Sequence, residues 1–303
     1  MFNNLDISFA SFGEVLFDVF GTDRKIGGAP LNIALRIKSY GFPVAMISAI
    51  GQDDLGEELW QFMYNKGILL SAVDRLKQLP TGSVQVTLNE QGSATYDIQY
   101  PAAWDCIPYT KKINQVLDSV QVLIYGSLAC RHEVSRQTLF EILEKEHLYK
   151  VFDVNLRAPF YNYTTLLSLM EQADFIKFND DEIFEIAEAM GKDHSSLEET
   201  MRSIATISGA TSICVTRGKY GAVLLWKEEF YENGGYHVQV VDTVGAGDSF
   251  LGTLLCKLLS DKDPQQAIDM ACAVGSLVAA SAGANPVLSE TEIRELMNST
   301  EES

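Results

Sequence analysis

The sequence has no surplus of positive charge. Its 23 Lys and Arg stand against 41 Asp and Glu, a formal net charge of −18. Such a surface repels polyanions, so coating of nucleic acid or anionic lipid is excluded as the main activity. Any phosphate the protein handles is then held locally, by backbone amides, a few basic residues or Mg2+. Cysteine is sparse and unpatterned. Cys106, Cys130, Cys214, Cys256 and Cys272 are odd in number, with no CxxC and no paired histidines. This argues against a disulfide framework or zinc site, and for buried thiols in a reducing, cytoplasmic compartment. The four histidines, His132, His147, His194 and His237, read as surface or structural residues. Met1 to Ser8 lacks the basic and apolar regions of a signal peptide. The longest charge-free stretch, 270–289, is too rich in Ala, Gly and Ser for a membrane span and reads as a packed core helix ending in a turn at Asn285-Pro286. There is no repeat and no low-complexity tract. Neither GxxxxGK[ST] nor a strand-linked GxGxxG occurs, so neither a Walker-type NTPase nor a dinucleotide dehydrogenase is indicated.

What is present is a chain of 303 residues, 47% hydrophobic and 21% charged, enough for a sizeable core. Short apolar runs alternate with amphipathic stretches. Strands are expected at 44–50, 122–125, 151–154, 175–178, 212–216 and 222–226. Helices are expected at 53–66, 132–146, 180–190, 247–259, 264–281 and 290–297. That alternation implies a mainly parallel sheet with helices on both faces. One region departs from it: 83–88 and 94–100 alternate polar and apolar residues around Asn89-Glu90-Gln91-Gly92, the pattern of a hairpin. Two readings stand: an edge hairpin of the main sheet, or a small lid over a ligand cleft.

Two segments carry chemistry. In Asp242-Thr243-Val244-Gly245-Ala246-Gly247-Asp248, the glycines permit tight backbone geometry and the following helix presents unpaired N–H groups, an anion site. A carboxylate beside that anion binds poorly but suits a general base for a hydroxyl attacking a phosphate. The plainer reading is a turn and an acidic first helical turn. In Gly27-Gly28-Ala29-Pro30-Leu31-Asn32, the glycines let a ligand approach, and Asn32 offers a donor and an acceptor to a hydroxyl-rich ligand.

Together, with Gly41 and Gly51 following the first segment, these resemble the two signatures of the ribokinase-like (PfkB-type) carbohydrate kinases. The similarity spans nearly all 303 residues. Thr253 is a departure, where the family usually has Ala or Gly. The resemblance implies a ribokinase-like three-layer α/β sandwich with a mainly parallel central sheet. It implies one kinase domain over 1–303, with a small β-stranded lid formed approximately by 14–25 and 80–103. The reaction implied is transfer of a phosphoryl group from ATP to a sugar hydroxyl, with Mg2+. Asp248 would be the base, and the amides of Gly245, Ala246 and Gly247 the anion hole. Gly13 to Asp18 looks like the family's opening strand, with Asp18 binding sugar hydroxyls beside Gly28 and Asn32.

Asn179 and Glu182 resemble the Asn-x-x-Glu element that orders Mg2+ and phosphate, often through water. Thr216, Gly218 and Gly221 look like the turn lining the nucleotide. Asp153-Val154-Asn155-Leu156-Arg157 resembles the Asp-x-Asn-x-Arg element of fructokinases and ketodeoxygluconate kinases, with Arg157 meeting the transferred phosphate. Asp242 and the 283–289 loop lie where relatives bind a monovalent cation, K+. Cys272 stands where many relatives have an Asn near the adenine. Lids in the family often pair between subunits, which implies a homodimer. Gln78 to Thr110 contains no Lys or Arg, which favours a neutral sugar, fructose first, over an acidic one. Tyr96, Tyr100 and Trp104 offer faces to such a ring, although core packing competes for Trp104. Arg24 and Lys25 are the route by which an acidic sugar would still be paired. A ketodeoxygluconate kinase, a nucleoside kinase, or a non-catalytic sugar or nucleotide sensor are the alternatives.

Overall fold

A computed structural model describes residues 7–88, 94–191, 196–260 and 262–299. The expected turn Asn89–Gly92 and His194 lie outside these residues, as does most of the segment from Met1 to Ser8. The central layer is built from β1 (Phe9–Phe12), β4 (Val44–Gly51), β5 (Leu69–Leu76), β8 (Val122–Gly126), β9 (Tyr149–Asp153), β10 (Phe175–Asn179), β11 (Ser212–Thr216), β12 (Ala222–Trp226) and β13 (Glu229–Asn233). They form one nine-stranded sheet in the order β13-β12-β11-β10-β9-β8-β1-β4-β5. From β5 through β11 all pairs are parallel; β12 and β13 close one edge antiparallel.

Strand β8 shows why such runs become central strands. Val122 and Ile124 enter the core on one face and Leu123 and Tyr125 the core on the other. A parallel strand covered on both sides has no solvent face, so its sequence is apolar at every position. One helical layer contains α1 (Ala29–Ser39), α2 (Asp54–Asn65), α8 (Ala246–Leu259), α9 (Pro264–Ala279) and α10 (Glu290–Asn298). The other contains α3 (Lys111–Leu117), α4 (Glu133–Leu143), α5 (Tyr163–Met170), α6 (Asp180–Ala189) and α7 (Leu197–Ser208). The strands β1, β5 and β13, and the helices α3, α5 and α7, carried no expectation from the sequence. Among the described residues no helix is long and apolar enough to cross a membrane.

A second sheet of four strands contains β2 (Leu16–Phe20), β3 (Asp23–Gly27), β6 (Gly82–Leu88) and β7 (Ala94–Ile98), in the order β3-β2-β6-β7. The expected hairpin is present as the antiparallel pair β6–β7, but β6 pairs with β2 and not with the main sheet. The edge-hairpin reading is therefore replaced by a separate sheet. The expected strand from Gly13 to Asp18 is also corrected. Phe9–Phe12 is the opening strand of the main sheet, the chain turns at Gly13, and Asp18 belongs to the small sheet.

Leu16, Val84, Val86, Ile98, Ala102, Trp104 and Leu128 form the apolar floor of the small sheet. Trp104 is 0% exposed, so it is core and offers no face to a ligand. Beneath it, Arg131 is paired with the buried Asp105 at 2.7 Å and lies over the Trp104 ring at 4.0 Å. Breaking one partner of such a buried pair costs about 3–5 kcal/mol, which ties the small sheet to the main body.

Candidate active site

The carboxyl ends of the central parallel strands, the first turn of α8 and the inner side of the small sheet enclose a cleft of about 400 Å³. Its lining includes Glu14, Asp18, Gly28, Asn32, Asn155, Arg157, Lys177, Gly245, Gly247 and Asp248. Seven of the residues expected from the sequence are thus brought together: Asp18, Gly28, Asn32, Arg157, Gly245, Gly247 and Asp248.

Gly245 starts α8 in the left-handed region, φ 76°. A Cβ there would lie 2.5 Å from the Ala284 Cβ, so only glycine fits. The Asp242 carboxylate accepts the Val244 N–H at 3.1 Å and holds the approach to this turn. In the first turn of α8 the N–H groups of Gly247 and Asp248 have no acceptor within the helix. The Ala246 N–H differs from expectation, because it donates to the Thr243 carbonyl at 3.2 Å. The expected three-amide hole thus loses its middle member.

Asp248 projects from that turn, and its Oδ2 accepts from Asn32 Nδ2 at 2.8 Å. Burial raises its pKa to about 6; Asp153 adds to the rise, while Asn32, Lys177 and Arg157 oppose it. Asn32 sits in α1 behind Gly28, whose φ of 107° and contact with the Glu14 carbonyl leave no room for a side chain. Asn32 was expected chiefly as a sugar contact. Here both ends of its amide already have protein partners, since Oδ1 accepts from Asn285 Nδ2 at 2.7 Å.

Asp18 lies on the β2 side of the cleft, where burial lifts its pKa to about 6 against the pull of Arg157 and Lys25. Arg157 is exposed on the loop after β9, its Nη1 donating to the Leu156 carbonyl at 2.9 Å. In the same loop Asn155 has φ 42°, an uncommon conformation for a residue other than glycine.

Three residues of the site escaped the sequence reading. Lys177 is 6% exposed in the middle of β10 and paired with Asp153 at 3.1 Å. Burial would lower its pKa, but Asp153 and Glu182 outweigh that and hold the ammonium above its ordinary value. A Cβ on Gly247 would sit 3.5 Å from its Nζ, so the ammonium faces the start of α8. The signal was there, a lysine inside an otherwise apolar strand. Glu14 likewise interrupts an apolar run. It is 4% exposed, its Oε2 has no partner, and burial raises its pKa to about 7. Asn285 stood out only as part of a turn and of the 283–289 loop, with nothing to link it to Asn32.

The remaining expected residues form a neighbouring group outside the cleft lining. Asn179 and Thr216 are cross-strand partners at the ends of β10 and β11, and Gly218 and Gly221 frame the turn beyond Thr216. Asn179 Oδ1 accepts the Glu182 N–H, Glu182 Oε2 accepts the Asn179 N–H, and Glu182 Oε1 accepts the Leu156 N–H, all within 2.9 Å. This is a capping box, the plainer of the roles the pair was given. Asp242 Oδ2 accepts the Gly283 N–H at 3.2 Å and lies 3.4 Å from the Lys25 ammonium. Among the described residues no group of three or more His, Cys, Asp or Glu is arranged to hold a metal ion.

A cleft at the carboxyl ends of parallel strands, roofed by a separate small sheet, places the chain among α/β proteins with a ligand site at the strand ends. Residues 3–291 match the pfkB family carbohydrate kinases, and the chain belongs to that family. It is 28% identical to a probable fructokinase-4 of Arabidopsis thaliana over 316 residues, covering 95% of each chain. Among solved structures, the fructokinase of Xylella fastidiosa with bound ATP aligns with a TM-score of 0.85 at 21% identity, over 98% of this chain and 100% of that one. A double mutant of Vibrio cholerae fructokinase, in fructose-, ADP- and potassium-bound form, aligns with a TM-score of 0.82 at 24% identity, over 96% and 98%. The fold is the ribokinase-like three-layer sandwich expected from the sequence.

Proposed function

We propose that this carbohydrate kinase transfers the γ-phosphoryl group of Mg-ATP to a hydroxyl of a neutral sugar, fructose first, within one domain whose small sheet acts as a lid. The observation that carries the reading is Asp248 in the first turn of α8. Asn32 takes one carboxylate oxygen, which leaves Oδ1 for an incoming hydroxyl. With its pKa about 6, the carboxylate is ionised at neutral pH yet basic enough to accept the hydroxyl proton as the bond to phosphorus forms. The N–H groups of Gly247 and Asp248, with Lys177 facing them, would stabilise charge on the transferred group. Arg157 would meet the same phosphate from the rim. Asn179, Thr216, Gly218 and Gly221 would line the nucleotide.

Mg2+ bound to the phosphates of ATP supplies charge neutralisation there. Both Glu182 oxygens already accept N–H bonds, so Glu182 fits a hydrated ion through water and not as a direct ligand. Potassium fits poorly beside Asp242, because the Lys25 ammonium and the Gly283 N–H occupy its Oδ2. No step here depends on it. The five free thiols suit a reducing compartment, in keeping with a cytoplasmic enzyme.

The neutral substrate is supported by how the cations are spent. Arg24 is paired with Glu58, Lys25 with Asp242 and Lys177 with Asp153, while Arg157, the remaining cation of the lining, is the one assigned to the phosphate. Glu14 and Asp18 line the acceptor end of the cleft, where an acidic sugar would be repelled. Leu16, Phe20, Val84, Ile98 and Leu128 supply the apolar wall in place of Trp104, while the Tyr96 side chain lies outside the described structure. The test is kcat/KM with Mg-ATP for fructose, ketodeoxygluconate, ribose and adenosine. Preference for the acidic sugar overturns the neutral substrate, and no ADP release with any acceptor favours the sensor.

A further inference from the structure

Asn285, on the loop between α9 and α10, is not part of the cleft lining but hydrogen-bonds Asn32, which is. We infer that Asn285 is a positioning residue that fixes the amide of Asn32 so that its N–H, and not its carbonyl, faces Asp248. The inference rests on the reading of Asp248 as the base.

The direction of each bond follows from chemistry. An ionised carboxylate only accepts, so the Asn32 end 2.8 Å from Asp248 Oδ2 must be Nδ2. That turns Asn32 Oδ1 away, toward a group that must donate, and Asn285 Nδ2 stands there at 2.7 Å. Asn285 is in turn committed: its own Oδ1 is buried with no partner. Turning the Asn285 amide over would give that oxygen a different setting only by placing it against Asn32 Oδ1. An orphan acceptor is thus tolerated to keep the row of donors pointing at Asp248.

The loop is held firmly enough for this. The Gly283 N–H bonds Asp242, Ala284 packs against Gly245, and Arg36 Nη2 donates to the Pro286 carbonyl at 3.3 Å while its Nε reaches Ser249 Oγ. The charged groups facing Asp248 from other elements are Asp153 at the end of β9, Arg157 on the loop after β9, Lys177 on β10, and Glu14 between β1 and β2. None of them is in the Asn32–Asn285 row, so the effect of Asn285 reaches Asp248 through Asn32.

The experiment measures the acidic limb of kcat/KM against pH in Asn285→Ala and Asn285→Leu, each also in an Asn32→Ala background. Without Asn285 the Asn32 amide is free to turn its carbonyl to Asp248, which favours the protonated acid. Loss of one such hydrogen bond corresponds to about 0.5–1 pH unit. The limb should move up by that amount in Asn285→Ala. It should move by a similar amount in Asn285→Leu, which likewise donates nothing to Asn32 Oδ1 and adds no charge. Asn285→Leu is close in size and serves if the alanine variant does not fold. In Asn32→Ala neither change at 285 should move the limb. A uniform loss at all pH values, or shifts that persist without Asn32, overturns the inference. If instead Asp248→Asn keeps wild-type turnover, it is the base assignment that fails.

Discussion

Lys177 and Asp153 are cross-strand partners in the parallel pair β10–β9, and their side chains meet at 3.1 Å with both residues buried. The pair does more than close a polar gap. It holds an ammonium against the start of α8, beside the glycine whose N–H would face the transferred phosphate. Lys177→Met leaves Asp153 buried and unpaired, and should cost about 3–5 kcal/mol. Lys177→Met with Asp153→Leu should recover much of the melting temperature while turnover stays low. Recovery of both in thermal melts and steady-state assays would make the pair purely structural.

Asp248→Asn should lower kcat by about 10²–10⁴, with sugar affinity largely kept. Calorimetric titration of the sugar alongside turnover separates the two. Near-normal turnover removes Asp248 from the reaction.

The same substitution should stabilise the fold at pH 8. Asp248 titrates at about 6 when folded against the ordinary aspartate value of 3.8, so the unfolded chain binds fewer protons between these values and stability falls as pH rises through that window. Above about pH 6 the cost of keeping the carboxylate ionised is fully present, on the order of 3 kcal/mol; below about pH 4 it is absent. A melting temperature raised at pH 8 and unchanged near pH 4 is expected. Activity in the wild type should fall as pH drops below about 6, because the base is then protonated.

Gly245→Ala and Gly247→Ala should part company. The first forces a side chain into a left-handed turn and against Ala284, and should lower thermal stability. The second has room at 3.5 Å from Lys177 Nζ, and should fold normally while losing phosphoryl transfer. Equal melting temperatures for the two variants would contradict the geometry.

If the small sheet closes over the sugar, amide exchange in Leu16–Phe20 and Gly82–Leu88 should slow at saturating fructose. Closure excludes water and would suppress ATP hydrolysis without acceptor. Unchanged protection in both strands would make the sheet a fixed wall of the cleft.

Local pattern was enough for much of this protein. The apolar runs at 122–125 and 175–178, and the Gly-Ala-Gly-Asp approach to α8, each announce themselves because a both-faces-buried strand or a helix start depends on a few adjacent residues. Edge strands do not. Leu69–Leu76 and Glu229–Asn233 bury only part of their side chains, so their sequences mix charged and apolar residues and only pairing with β4 and β12 makes them strands. Asp18 lines the cleft as expected, but the opening strand expected over 13–18 is divided between the two sheets. One largely apolar stretch, 9–20, broken by Ser11, Glu14 and Asp18, serves two sheets, and the turn at Gly13 divides it. The row from Asn285 through Asn32 to Asp248 joins side chains 253 and 216 positions apart. No periodicity connects residues so distant. The packing of α1, α8 and the 283–286 loop brings them within hydrogen-bond reach, and tertiary structure alone decides which end of the Asn32 amide faces Asp248.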